Sequence, residues 1–105
     1  MGLFSRKKEP EDLTKYGALK LTVLEIEGKS PKRITVSCKV ESGRVGLGET
    51  LIYRPKFGET LIVKAEYLQA MMMDMKVAME GTVVSISLSG DFDMMDPTEG
   101  DIIER

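Results

Sequence analysis

The chain has no histidine, no tryptophan and one cysteine, and only three tyrosines and three phenylalanines. Without histidine it has no His-based catalytic triad and no His-ligated zinc. A lone Cys38 excludes an internal disulfide and fits a reducing cytoplasm. No run of about 18 apolar residues is present, which excludes a membrane-spanning helix. Leu3-Phe4 is too short an apolar stretch for a secretory signal. Met1-Gly2 opens like a myristoylation site, but Arg6 stands where serine or threonine is required. Neither sign of charge dominates: 15 Lys and Arg face 17 Asp and Glu, for a net charge of -2. A nucleic-acid binder that works by overall charge is therefore excluded, and any such contact must rest on a local patch. No Gly-x-x-x-x-Gly-Lys-Ser/Thr occurs, so there is no P-loop to cradle a nucleotide's phosphates. No nucleophile, base and electrophile can be assembled, so the expectation is a protein that is not an enzyme and carries no cofactor or metal.

What is present indicates one small domain of 105 residues. Residues 1–17 form a charged tail, Arg6-Lys7-Lys8 followed by Glu9-Pro10-Glu11-Asp12. The tail has too few apolar groups to offset its ordering entropy and is expected to be mobile. From Ala18 onward the hydrophobic pattern has period two. Leu19, Leu21 and Val23 alternate with polar residues, and then Leu24 and Ile26 alternate on the opposite parity. A one-residue parity switch inside a strand is what a β-bulge produces. Ile34, Val36, Cys38 and Val40 form the clearest half-buried strand. Shorter strands are expected at Thr50–Arg54, around Leu61, Val63, Ala65 and Tyr67, over Val84–Leu88, and at Asp101–Ile103. Six short strands separated by Gly- and Pro-bearing turns predict an all-β domain, either barrel or sandwich, spanning residues 18–105.

One segment contests that pattern. Glu66 to Glu80 is rich in Leu, Gln, Ala, Met and Glu, and propensity alone predicts a helix with Leu68, Met72, Met75 and Met79 on one face.

Two stretches carry a resemblance to a known family. One runs Lys39-Val40-Glu41-Ser42-Gly43-Arg44-Val45-Gly46-Leu47-Gly48-Glu49-Thr50-Leu51; the other runs Val77-Ala78-Met79-Glu80-Gly81-Thr82-Val83-Val84-Ser85-Ile86-Ser87-Leu88. Gly100-Asp101 before a last strand adds to them. Together they resemble the second domain of translational GTPases such as elongation factor Tu and initiation factor 2, with Glu49 where that family usually has Asp. The resemblance implies a six- to seven-stranded, mostly antiparallel barrel with no GTPase domain in the sequence. It also implies a strand, a loop and a short strand opening at Val77 in place of the long helix, with at most one helical turn near Ala70–Asp74. In that family the second domain contacts ribosomal RNA and, in some members, the acylated end of tRNA. No residue-level motif here transfers those contacts.

Two binding readings follow. In the first the domain is an accessory module touching RNA or the ribosome, with Lys29, Lys32, Arg33 and Arg44 as the candidate basic patch. In the second it is a protein-binding or self-associating module. Seven of the eight methionines lie between Met71 and Met95, and Met72, Met73 and Met75, within residues 71–79, are the candidate partner surface. Asp91, Asp93 and Asp96 read as a solvated acidic loop, because the order of a calcium loop is not met. Cys38 falls on the apolar phase of its strand and reads as core.

Overall fold

The computed structural model describes residues 12–105. Its strands, among the described residues, are β1 (Lys20–Ser30), β2 (Arg33–Ser42), β3 (Arg44–Gly46), β4 (Thr50–Arg54), β5 (Leu61–Ala70), β6 (Met73–Asp74), β7 (Val77–Met79), β8 (Val83–Ser89) and β9 (Ile102–Glu104). Six of them follow the order β4-β9-β1-β2-β8-β5, and β4 also pairs with β5, which closes a barrel. Every pairing is antiparallel. β6 is an extra strand laid against the end of β5, while β3 and β7 form a separate two-stranded sheet. Closure leaves the six barrel strands without a free edge along the paired lengths, which suits a small all-β unit. Among the described residues no helix is long and apolar enough to cross a membrane.

The strands follow from the alternation. Ile34, Val36, Cys38 and Val40 point inward and are fully or almost fully buried. They meet Leu21, Val23, Leu51, Tyr53, Val63, Ala65, Leu68, Val84, Ile86, Leu88 and Ile103 in one core. The expected parity switch in β1 is a bulge. The register with β2 slips between Val23 and Glu25, which puts Val23 inside and Leu24 at the surface. A second bulge was not foreseen. β5 slips against β8 between Ala65 and Tyr67, so Tyr67, read as an inward residue from strict alternation, is turned outward and Leu68 takes its place in the core.

Three other expectations change. The contested segment holds no helix at all: β5 runs to Ala70, Met71 and Met72 make a two-residue turn, and β6 returns, so the single helical turn near Ala70–Asp74 is replaced by a β-hairpin. Cross-strand pairing overrides the helical propensity here, because Ala65 and Leu68, on either side of the β5 bulge, both fill the barrel. The loop expected over Gly28–Arg33 shrinks to Pro31-Lys32, since β1 continues to Ser30. Asp12 to Gly17, grouped with the tail by composition, contain a 3-10 turn, Leu13–Tyr16, capped by the Asp12 side chain on the Thr14 amide. Leu13 in that turn is buried beside β3. The rest of the tail lies outside the described residues.

The Ser42-Gly43 break is enforced twice. Gly43 has φ +75°, and a Cβ there would lie 2.7 Å from the Ala18 carbonyl oxygen and 2.9 Å from the Leu19 Cα. Both obstacles are backbone and cannot rotate away. Gly48 has φ +85° with open space where a Cβ would go. Gly43→Ala is therefore expected to destabilise the domain by about 2–3 kcal/mol and Gly48→Ala by about 1 kcal/mol, read as shifts in the denaturant midpoint. Equal shifts would sink the steric argument.

Cys38 is fully buried and burial pushes its thiol up to about 12. Only the thiolate reacts, so the native thiol should react with a disulfide reagent no faster than the domain opens. A raised folded value also has a sign for stability. The contribution is complete below the unfolded value of 9.0 and is lost as pH climbs toward about 12. Thiol labelling with and without denaturant checks the first part; rapid labelling of folded protein at neutral pH would contradict it.

Candidate binding surfaces

The barrel has two unlike ends. At one end lie the β1–β2 turn and the loop from Gly90 to Gly100 that follows β8. The two are stitched together: the Gly90 amide donates to the Lys32 carbonyl at 3.1 Å and the Phe92 amide to the Pro31 carbonyl at 2.8 Å. Phe92 and Met95 drop from this loop into the core, and the Tyr53 ring meets Phe92 edge-on with centroids 6.2 Å apart. Beneath the loop Asp101 is fully buried. Its carboxylate accepts hydrogen bonds from the Tyr53 hydroxyl at 2.6 Å, the Lys56 amide at 2.7 Å and the Thr98 amide at 2.8 Å. Burial, and then the bond to Asp101, hold the Tyr53 phenol well above its ordinary value.

The structure brings three of the four candidate basic residues to this acidic-loop end and separates the fourth. Lys29, Lys32 and Arg33 flank the β1–β2 turn and are exposed. Arg44 lies beyond the far end of β2, on the order of 30 Å away at the rise of a β-strand. Adjacency in turns along the sequence does not mean adjacency in space when a ten-residue strand stands between them. The remaining three are also not a bare cationic surface. Lys29 Nζ lies 3.7 Å from the Asp96 carboxylate and Lys32 Nζ 3.8 Å from that of Asp91. Such exposed pairs stabilise little, but a phosphate would have to compete with them. Arg44 has its own engagements: its guanidinium stacks 3.7 Å from the centre of the Tyr16 ring, and its carbonyl accepts from Arg105 Nη2 at 2.6 Å.

At the opposite end the β5–β6 hairpin carries the methionines. Met71 and Met72 are 92% and 91% exposed, and Met73 is 68% exposed. Met75 does not join them: its amide donates to the Leu68 carbonyl and its side chain packs against the core. Met71, which the choice of Met72, Met73 and Met75 had passed over, is thus the better surface residue. Met71 and Met72 both have positive φ, 52° and 65°. A two-residue hairpin loop with both residues in that region is a turn that favours Asn-Gly. The Tyr67 hydroxyl donates to the Asp74 carboxylate and pins β6 to β5. That bond is the main reason the Tyr67 phenol is raised above its ordinary value.

Beside the hairpin, at the same end, is a groove of about 620 Å³. Leu13, Leu47 and Val77 supply its apolar walls, and Gly46 to Glu49 its floor. The Glu49 carboxylate accepts from the Gly46 amide at 2.9 Å and from Arg105 Nε. It therefore holds the turn where an aspartate was expected from the resemblance. Sequence reasoning did not find this groove. The available signal was Leu47, an apolar residue set between two glycines and left 46% exposed.

No protein-family model matches the sequence and no curated protein is similar to it. Solved structures are. The Ski7 GTPase-like domain of S. cerevisiae bound to GTP superposes with a TM-score of 0.75 at 10% identity, over 93% of this chain and 24% of that one. Translation elongation factor SelB of Methanococcus maripaludis in its apo form gives 0.70 at 18% identity, over 84% of this chain and 19% of its own. The same factor with a GTP analogue gives 0.71 at 16% identity, over 96% and 21%. This chain thus spans a quarter or less of the length of each. At these identities the likeness is one of fold. The domain is an all-β closed barrel of the kind found in translation factors, similar to their second domain.

Proposed function

We propose that the domain is a non-catalytic protein-binding module and that the tip of the β5–β6 hairpin is what the partner grips. One observation carries this reading: Met71 and Met72 occupy positions that nothing in the fold explains. Each is more than nine-tenths exposed, so neither supports the core. Each sits at positive φ, where an L-residue costs about 1–2 kcal/mol. A turn chosen for folding would carry Asn-Gly, and one chosen for solubility would carry a charge. Strain kept at an exposed apolar tip points to function. Two such side chains fully buried by a partner would contribute about 1.5–3 kcal/mol each, and Met adapts its shape to varied surfaces.

A second reading, contact with RNA or the ribosome, draws on the fold's likeness to translation factors and on exposed Lys32 and Arg33. Against it stand the nearby carboxylates and the displacement of Arg44 described above.

The double variant Met71→Asn/Met72→Gly separates function from folding. It should melt at the same or a higher temperature, because the turn strain is relieved. It should lose about a hundredfold or more in affinity for the protein that immobilised full-length chain captures and that mass spectrometry identifies. That loss should change little with salt. The alternative predicts an RNA affinity falling with salt at a log–log slope of about -2, for three contacts, reduced in magnitude by Lys32→Ala/Arg33→Ala. Unchanged capture by the Asn-Gly variant would remove the methionine tip from consideration.

A further inference from the structure

We infer that the partner is a second copy of this chain, with the Met71–Met73 tip of each copy seated in the groove of the other. This rests on the reading of the tip as a binding element. The groove's chemistry selects the occupant. Its floor is backbone whose amides are already used: Gly46 donates to Glu49 Oε1, Leu47 to the Lys76 carbonyl, Gly48 to the Ala65 carbonyl, and Glu49 to the Gly46 carbonyl. That backbone has no free donor for a phosphate or carboxylate; Lys76 and Arg105 are the cations of the lining, Arg105 already paired with Glu49, and Leu13, Leu47 and Val77 offer apolar wall. At about 620 Å³ the groove falls in the size range that encloses a ligand of several side chains.

Charge permits the pairing. The groove is bordered by Asp12 and Glu49 on one sign and Lys76 and Arg105 on the other, and the whole chain carries only -2. Two copies approaching at this end meet little repulsion.

Geometry closes the assembly. Tip and groove occupy the same end, joined by the short run from Met73 to Val77. Tip into groove and groove around tip then satisfy both copies about one two-fold axis, which gives a pair and not a filament. The area sets the strength. Three methionines per tip at about 100 Å² each, counted for both tips with the matching groove surface, amount to about 1,200 Å². That is the lower limit for a stable interface, so the pair should be weak.

Sedimentation of the full chain from about 5 to about 500 µM is expected to show a monomer–dimer equilibrium with a midpoint of tens of µM, hardly altered by salt. Met71→Asn/Met72→Gly removes the tip and Leu47→Asp blocks the groove; each alone should stay monomeric with a native circular dichroism spectrum. Mixed in equal amounts they retain one intact tip and one intact groove, half of the interface, so association of the mixture should be at least about tenfold weaker than that of the parent. The inference is overturned if the full chain is monomeric at the highest concentration. It is equally overturned if the Asn-Gly variant or the Leu47→Asp variant dimerises like the parent. A monomeric parent whose captured protein is nevertheless lost in the Asn-Gly variant would leave the protein-binding reading standing with a different partner.

Discussion

The closed barrel depends on a single buried carboxylate. Among the described residues Asp101 is the only charged side chain with no exposure. A buried charge is tolerated only when its acceptor capacity is filled, and here three donors fill it, from β4 (Tyr53), from the residue two past its end (Lys56) and from the loop before β9 (Thr98). The Asp101 carbonyl accepts from the Val23 amide at 2.9 Å, and the Gly100 amide donates to the Val23 carbonyl at 2.8 Å, which ties in β1 as well. β9 is three residues long, too short to hold its place by ladder bonds alone, yet it is the strand that lies between β1 and β4. Asp101 fixes both of its neighbours just ahead of the pairing.

That device explains why a Gly-Asp pair before a last short strand is informative in the sequence and why its role could not be read there. The sequence pattern puts Asp101 at the head of the last short strand, just after a loop that carries Asp91, Asp93 and Asp96, all of which are exposed. Local sequence does not show that this one is buried, because two of its three donors lie 45 and 48 residues away in the chain. Period-two alternation, by contrast, is a local property. It was enough to find the six barrel strands and the β1 bulge, where the apolar residues themselves change parity at Leu24. The β5 bulge was hidden because Tyr67 is apolar enough to continue the pattern, and only Leu68 next to it betrays the slip. The register of a strand is legible when the side chains disagree with it and illegible when they are neutral.

The candidate site was legible in composition and not in shape. A methionine cluster is visible in any reading of the chain, but which methionines face water is decided by a hairpin that propensity argues against. Once β5 and β6 pair, Met71 and Met72 fall in the turn and Met75 falls back on the core. The basic residues failed for a different reason. Turns at the two ends of a strand look like neighbours in a linear pattern, and β2 holds Arg33 and Arg44 at opposite ends of the barrel. Leu13 was grouped with the tail because its surroundings are charged, although one apolar side chain suffices to dock a single turn.

The two ends also divide the physical labour in a way that lets the methionine tip be strained. The left-handed backbone at Met71 and Met72 costs about 2–4 kcal/mol together, a large share of the roughly 5–15 kcal/mol by which a domain is stable. Were that strain located in a barrel strand, it would act on the cooperative unit. It is located instead beyond the point where β5 leaves β8, whose last partner is Gln69, and β6 is joined to β5 by two residue pairs and the Tyr67–Asp74 bond. The tip can open without breaking any bond of the Asp101 cluster, which lies at the opposite end. Local opening of this kind has its own free energy, smaller than that of global unfolding. The strain therefore lowers the stability of the hairpin first. A partner closing on the methionines, as proposed, would stabilise the hairpin and leave the barrel unchanged.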